Sequence, residues 1–80
     1  MTVRISDGTI VLEGHCSVED GAALAEYLAA YPHACVDWSN CTWLHTGVVQ
    51  VLLALHPPLR GTPAGDFVQT HVAPLLMARP

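Results

Sequence analysis

The sequence predicts a small α/β domain, in which a mixed β-sheet of three to four strands has its helices packed on one face. Two alternating strand patterns surround an Asp-Gly pair near the start of the chain, and this arrangement is a strong signal for a β-hairpin. A helix pattern follows over residues 17–31, and a short apolar strand pattern at 34–38 follows the helix. A strand reached through a crossover helix pairs in parallel, in a right-handed βαβ unit.

Length and composition predict one domain, 1–80, with apolar side chains left on its surface. Charged residues make up 12% of the 80 residues, against about 25% in ordinary soluble domains. Hydrophobic residues make up 51%. Because a domain of this size buries only about 60% of its unfolded surface, some apolar side chains must remain exposed. Exposed apolar patches indicate a protein partner or a homodimer, although a hydrophobic monomer also fits the composition.

The charge balance disfavours two classes of partner. The net charge is -4, the basic residues are Arg4, Arg60 and Arg79, and lysine is absent. Nothing in this pattern forms a positive stripe for nucleic-acid phosphates or for anionic lipid surfaces. The longest apolar segment, 47–55, is far shorter than the roughly 20 residues of a membrane-spanning helix. We therefore expect neither nucleic-acid binding nor membrane insertion.

Cysteine usage predicts a reducing compartment. The three cysteines are Cys16, Cys35 and Cys41, and the N-terminal residues lack the apolar stretch of a secretory signal. An odd number of cysteines in such a chain indicates free thiols. The expected location is the cytoplasm, and Cys16 and Cys35 are expected to be small buried hydrophobic residues.

The first half of the chain divides into a hairpin and a helix. Strands are predicted at 2–6 and 9–13. Ser17 is predicted as the N-cap of the helix, with Asp20 completing a capping box. The helix is expected to stop at Tyr31, because a proline follows it.

The middle of the chain predicts a loop and a second helix. Residues 39–45 are polar and aromatic and are expected to form a loop after the strand at 34–38. A helix is predicted from Thr46, as N-cap, to about residue 56, where a Pro-Pro pair ends it. The β-branched residues near 48–51 are also compatible with a strand, but the apolar residues 52–55 favour the helix.

The C-terminal part predicts a turn-rich connection over 57–66 and a last amphipathic helix. The connection has room for a very short fourth strand at most. Asp66 and Gln69 are spaced as a capping box, and Pro74 is expected to interrupt the helix near Val72. The apolar positions of this helix are Phe67, Val68, Val72, Leu75 and Leu76.

The segments "VDWSNCTWLHTGVVQVLLAL" and "LEGHCSVEDGAALAEYL" together resemble a STAS domain, the family of sulfate transporters and anti-sigma factor antagonists. In that family a strand ending in an Asp and a Ser leads to a loop and then to a helix that begins at a glycine. Residues 36–39 match the strand end, and Gly47 with the apolar residues after it matches the start of the helix. The resemblance covers about residues 1–57 and implies a STAS-like fold with a shortened C-terminal part.

The resemblance implies a small bacterial signalling protein that has no enzymatic activity and no cofactor. The phosphorylated serine of the family corresponds to Thr46, which also fits the role of a plain helix cap. Leu44 and His45 stand where the family has Asp and Ser, and Ser17 stands where an acidic residue is common. The phosphoacceptor role of Thr46 is therefore one of two interpretations.

The expected activity is regulation of a partner protein by partner switching, through the loop 39–46 and the helix 46–56. The implied partner is an anti-sigma factor or a histidine-kinase-like protein. The alternative within the same fold is a subunit that docks on the ATPase of an ABC transporter of the phospholipid-transport type. The expected partner-binding residues are Ser39, Asn40, Trp43, His45, Thr46, Val49 and Gln50.

A different class of function would use the nitrogen and sulfur side chains. His15, Cys16, Cys41 and His45 follow neighbouring parallel strands, so they are expected at one end of the sheet, where they form a candidate metal or thiol site. Their spacing contains no Cys-x-x-Cys motif, and a Cys41–His45 nucleophile pair has no third orienting residue. We therefore expect no metal site and no enzymatic activity.

The two tryptophans flank the predicted loop. One of them is expected to fill the core beneath the first helix. The other, Trp43, is expected at the surface, either as a binding residue or as a half-buried packing residue.

Overall fold

The computed structural model describes residues 3–77, with side chains through residue 76; the predicted strand position Thr2 and the basic residue Arg79 lie outside the described residues. Four strands form one mixed sheet in the order β1-β2-β3-β4. Strand β1 is antiparallel to β2, whereas β2, β3 and β4 are parallel to one another. The strands are β1 (Val3–Ser6), β2 (Thr9–Cys16), β3 (Cys35–Leu44) and β4 (Leu59–Arg60).

Helical elements cover one face of this sheet, which confirms the predicted fold class. Helix α1 is Val18–Ala30 and helix α2 is Thr46–Leu55. A π-helical turn, Val68–Val72, leads directly into the short helix α3, Ala73–Met77. The inward side chains of the strands and of these helical elements form a single apolar core.

The hairpin between β1 and β2 has the predicted turn. Asp7 and Gly8 both have positive φ angles, of 51° and 76°, which is the conformation of a two-residue hairpin turn that matches the twist of the strands. Strand β2 extends three residues beyond the predicted end at 13. The extension contains Gly14, at a φ of 66°, and this glycine interrupts the alternation that marks the first part of the strand.

Helix α1 begins and ends where the sequence predicts. The Ser17 N–H donates to Oδ2 of Asp20 at 2.6 Å, which confirms the capping box. At the other end, the Tyr31 N–H closes the last turn on the Tyr27 carbonyl at 2.8 Å, just before the proline. Gly21 faces the start of α2, and a Cβ at this position would stand 3.5 Å from the Gly47 carbonyl carbon and oxygen.

The prediction of a loop at 39–45 is wrong, because β3 continues to Leu44. The register between β2 and β3 shifts twice, between Val11 and Glu13 and again between Gly14 and His15. Each shift adds one residue to β3, as in a β-bulge. The buried side chains of β3 are therefore at 36, 38, 41 and 44, and this spacing of two, three and three does not follow the period of a regular strand.

The outer edge of β3 is covered by a short strand and an irregular segment. Strand β4 pairs with the beginning of β3 only. Beyond it, the Cys41 carbonyl accepts hydrogen bonds from the N–H groups of Ala64 and Gly65 at 3.0 and 3.2 Å. The indole Nε1 of Trp38, whose side chain is fully buried, donates to the Gly61 carbonyl at 2.9 Å. We call residues 61–65 the edge segment.

Two glycines allow the edge segment to approach β3. A Cβ at Gly61 would overlap the Ser39 hydroxyl, and one at Gly65 would overlap the Thr42 carbonyl. Gly61 also has a φ of 83°, which residues other than glycine rarely adopt. The edge segment therefore depends on glycine at both of its ends.

The last helical segment is interrupted as expected but is not capped as expected. The N–H of Ala73 bonds to the Val68 carbonyl, five residues earlier, which is the π-helical spacing. The interruption directly precedes Pro74, which has no N–H to donate. The predicted capping box of Asp66 and Gln69 is wrong: Asp66 is itself helical, and the Gln69 N–H bonds to the Gly65 carbonyl at 2.9 Å.

Among residues 3–77, no helix has both the length and the apolar character that would let it cross a membrane.

The substitution Gly65→Ala is expected to lower the free energy of unfolding by about 1–3 kcal/mol, because the added methyl group meets the Thr42 backbone and the edge segment must move away. Urea denaturation followed by tryptophan fluorescence measures the change. Gly8→Asn is the control, since nothing lies near a Cβ at Gly8 and asparagine tolerates a positive φ. Its effect should stay within about 0.5 kcal/mol. Equal losses in both variants would contradict the steric role of Gly65.

Candidate functional site

The structure separates the predicted partner-binding residues into two groups. Ser39 and Asn40 are exposed at the first bulge of β3. The Ser39 backbone N–H and hydroxyl donate to Oδ1 of Asp37 at 3.0 and 2.8 Å, and these bonds lower the pKa of the Asp37 carboxyl below its ordinary value. The remaining residues lie farther along, at the end of β3 and on α2.

An aromatic cluster occupies the end of β2 and β3. The rings of His15 and Trp43 are stacked, with centroids 4.6 Å apart. The ring of His45 meets Trp43 edge-on at 6.1 Å. Trp43 is half-buried, so it is both a packing residue and part of the surface. The sequence suggests His15 only as a candidate metal ligand, and no sequence signal indicates that it is a neighbour of Trp43.

The N-cap of α2 is His45, and the prediction that Thr46 caps this helix is wrong. The His45 Nδ1 accepts a hydrogen bond from the Gly47 N–H at 3.0 Å. The His45 carbonyl accepts from Val48 and Val49, at 2.9 and 3.2 Å. Histidine is not a favoured capping residue, and capping preference alone therefore predicts the threonine. Thr46 is the first residue of α2 and is exposed.

Backbone bonding attaches this cap to the neighbouring strand. The His45 N–H donates to the Cys16 carbonyl at 2.9 Å. The next residue after Cys16 is Ser17, which begins α1. The starts of α1 and α2 therefore lie side by side at the same end of the sheet.

A groove of about 330 Å³ opens beside Thr46, between α2 and the last helical segment. We call it the α2–α3 groove. Val49 lines its α2 side, whereas the exposed Gln50 does not line it. Its full lining is Trp43, Leu44, Thr46, Val49, Phe67, His71, Val72 and Leu75.

The exposed side of the last helical segment is not evident from the sequence pattern. That pattern groups Phe67 and Leu75 with the apolar positions of an amphipathic helix, yet their side chains are 57% and 61% exposed. Val68, Val72 and Leu76 are the buried members of that group. The rings of Phe67 and His71 lie 5.0 Å apart, on the wall of the α2–α3 groove.

The candidate metal or thiol residues do not form a ligand set. Cys16 and Cys41 are fully buried on the core side of the sheet, whereas His15 is exposed and stacks on Trp43. Successive side chains of a strand point to opposite faces, which separates His15 from Cys16. Within residues 3–77, no cluster of three or more His, Cys, Asp or Glu residues could hold a metal ion.

The two buried thiols interact with each other and not with the histidines. All three cysteines are free, and Cys35 is half-buried. The Cys16 thiol donates to the Glu13 carbonyl at 3.9 Å, and the Cys41 thiol donates to the Trp43 carbonyl at 3.5 Å. The neighbouring Cys41 thiol, together with burial, raises the pKa of the Cys16 thiol. The Cys16 thiol in turn lowers the pKa of the Cys41 thiol. Because both sulfur atoms lie inside the core, reagents in solution do not reach them in the folded state.

Comparisons with family models, with curated proteins and with solved structures found no match to this chain.

His45→Ala is expected to lower the free energy of unfolding by roughly 0.5–2 kcal/mol, because the Gly47 N–H loses its acceptor. His45→Asn is the matched control, since it also removes the imidazole from Trp43 but supplies a favoured capping side chain. Urea denaturation compares the two variants. Equal losses would show that the ring contact, and not the cap, stabilises the start of α2.

Thiol labelling is expected to distinguish Cys35 from the other two cysteines. In the folded protein a disulfide reagent should react rapidly with one of the three thiols, because only Cys35 is partly exposed. Unfolding in urea should release the remaining two. The count of labelled thiols by absorbance measures both phases, and Cys35→Ser should remove the rapid one. Rapid labelling of all three thiols in the native protein would contradict the burial of Cys16 and Cys41.

Proposed function

We propose that this chain is a non-enzymatic protein-interaction module that regulates a partner protein in the cytoplasm. The observation that carries the proposal is the exposed apolar surface beside Thr46, where Trp43, Val49, Phe67 and Leu75 line one groove. Exposed apolar groups of this kind, with aromatic rings among them, are typical of binding surfaces. The surface includes the end of β3 and the start of α2, which the STAS resemblance also favours.

The partner class follows from that resemblance. The first candidate is an anti-sigma factor or a histidine-kinase-like protein, in a partner-switching system. An ABC-transporter ATPase is the second candidate, and the neutral residues Leu44 and His45 before Thr46 favour it, since an acidic neighbourhood typical of the phosphorylated family members is lacking there. Both candidates would bind the same end of the domain.

Thr46 is the proposed control point of this surface. Its side chain is exposed, it is the first residue of α2, and it lines the groove. A phosphate at this position would add about -1.5 to -2 charges next to apolar side chains. The positive end of the α2 helix dipole would favour that charge within the chain, while a partner covering the groove would have to desolvate it.

Thr46→Glu is expected to weaken partner binding about tenfold or more, because a carboxylate must be desolvated at the interface. Thr46→Ser should bind as the parent chain does. The measurement is calorimetric titration of purified candidate partners of both classes, encoded beside this chain in its genome. Incubation with the kinase-type candidate and ATP, followed by mass spectrometry, tests phosphate transfer to Thr46.

Leu55→Glu is the matched control for added charge, because Leu55 lies at the far end of α2, is 53% exposed and does not line the groove. It should leave the affinity within about twofold. The proposal fails if neither class of partner binds the parent chain, or if Leu55→Glu weakens binding as much as Thr46→Glu. Binding that is lost only with Thr46→Glu, but without phosphate transfer, would favour the ABC-ATPase class.

A further inference from the structure

The α2–α3 groove has two apolar walls that run beside each other. Val49 stands on the α2 wall. Phe67, His71 and Leu75 stand on the opposite wall at intervals of four residues. Trp43 closes the end of the groove nearest to the sheet. A cleft between two helices with apolar side chains on both walls suits the apolar stripe of a third helix, which is a recurring mode of peptide recognition.

The size of the groove favours side chains of a protein over a small organic ligand. Its volume of about 330 Å³ is at the lower end of the roughly 300–1,000 Å³ of small-molecule pockets. Among the described side chains, which end at residue 76, His71 is the only ionisable one that lines it. A small ligand would therefore find few polar groups to fix its orientation, whereas one or two anchor residues of a docked helix require mainly apolar contact.

The charge around the groove indicates what flanks those anchor residues. The chain contains seven acidic residues and three arginines, and it has no lysine. Of the arginines, Arg4 is ion-paired with Glu13 at 2.9 Å. Asp66 is exposed and directly precedes Phe67, which lines the groove. A surface of net negative charge attracts cationic segments and repels acidic ones.

We propose that the α2–α3 groove takes an amphipathic helix of the partner whose apolar stripe is flanked by lysine or arginine residues. This inference rests on the proposed function and names the kind of segment that the partner supplies. The apolar residues of that helix contact Trp43, Val49, Phe67 and Leu75, and its basic residues lie over the rim near Asp66. Affinity then comes from the apolar contact, and the selection of partners comes from the charge.

Two synthetic peptides test the proposal without the whole partner. Both carry the same leucine stripe at helical spacing, one with lysine flanks and the other with glutamate flanks. Acrylamide quenching of tryptophan fluorescence follows binding, because Trp38 is fully buried and the quenchable emission comes from Trp43. The lysine-flanked peptide should protect Trp43 and should bind at least about tenfold more tightly than the glutamate-flanked one. Added salt should reduce this preference.

Matched variants locate the binding. Leu75→Gln should lower the affinity for the lysine-flanked peptide about tenfold, and Asp66→Asn should lower this affinity a few fold. Leu55→Gln, at a similarly exposed leucine outside the groove, should have no effect. Circular dichroism of each variant verifies that it remains folded.

Four outcomes would overturn the proposal. The first two are that neither peptide binds and that both peptides bind equally. The other two are that Leu55→Gln and Leu75→Gln lower the affinity equally, and that the chain forms a concentration-dependent dimer that Leu75→Gln dissociates. The last outcome would assign the groove to a second copy of this chain. If the whole partner binds but neither peptide does, the groove assignment fails while the proposed function stands. If the lysine-flanked peptide binds but no candidate partner does, the groove assignment stands and the proposed partner classes fail.

Discussion

The two bulges in β3 determine where the end of this strand, the start of α2 and the Trp43–His15 pair lie. A regular ten-residue strand that buries Val36 and Trp38 would next bury Asn40. The extra residue at each register shift restores the apolar face, so Cys41 and Leu44 are buried instead. The strand can therefore continue to the point where His45 begins α2 beside the start of α1. The same shifts leave Trp43 pairing in register with His15 at the surface.

The edge segment follows from the burial of Trp38. An indole N–H that is removed from water needs an acceptor, and the Gly61 carbonyl provides it. The carbonyl of Cys41 likewise needs donors, and the N–H groups of Ala64 and Gly65 provide them. Strand β4 has only two residues, so the irregular backbone beyond it completes the hydrogen bonding of this edge. A few residues thus supply the hydrogen-bond partners of Trp38 and Cys41 at this edge, in a chain of only 80.

The parts that sequence reasoning found are those with local and redundant signals. The Asp7-Gly8 hairpin, the Ser17–Asp20 box and the stop before Pro32 each combine a specific residue type with a fixed spacing. The parallel pairing of β2 and β3 follows from the helical crossover that connects them. These rules depend on the chain within a few residues, or on topology alone, and tertiary contacts did not override them.

The parts that sequence reasoning missed depend on an inserted residue or on an uncommon role for a residue type. Bulges removed the alternation from β3, so its second half was interpreted as a loop. The cap of α2 was missed because histidine rarely has this role. The π-helical turn has more residues per turn than an α-helix. Apolar positions assigned with the α-helical period therefore include Phe67 and Leu75 among the buried residues. The groove, which depends on those two side chains being exposed, had no separate signal in the sequence.

The close approach of Gly21 to the Gly47 peptide has a consequence for the two helices. The backbones of α1 and α2 approach each other there with little side chain between them. The His45 N–H also bonds to the Cys16 carbonyl, one residue before the cap of α1. The two helix starts are therefore held against each other and against the end of the sheet mainly by backbone atoms, whose positions do not depend on side-chain rotamers.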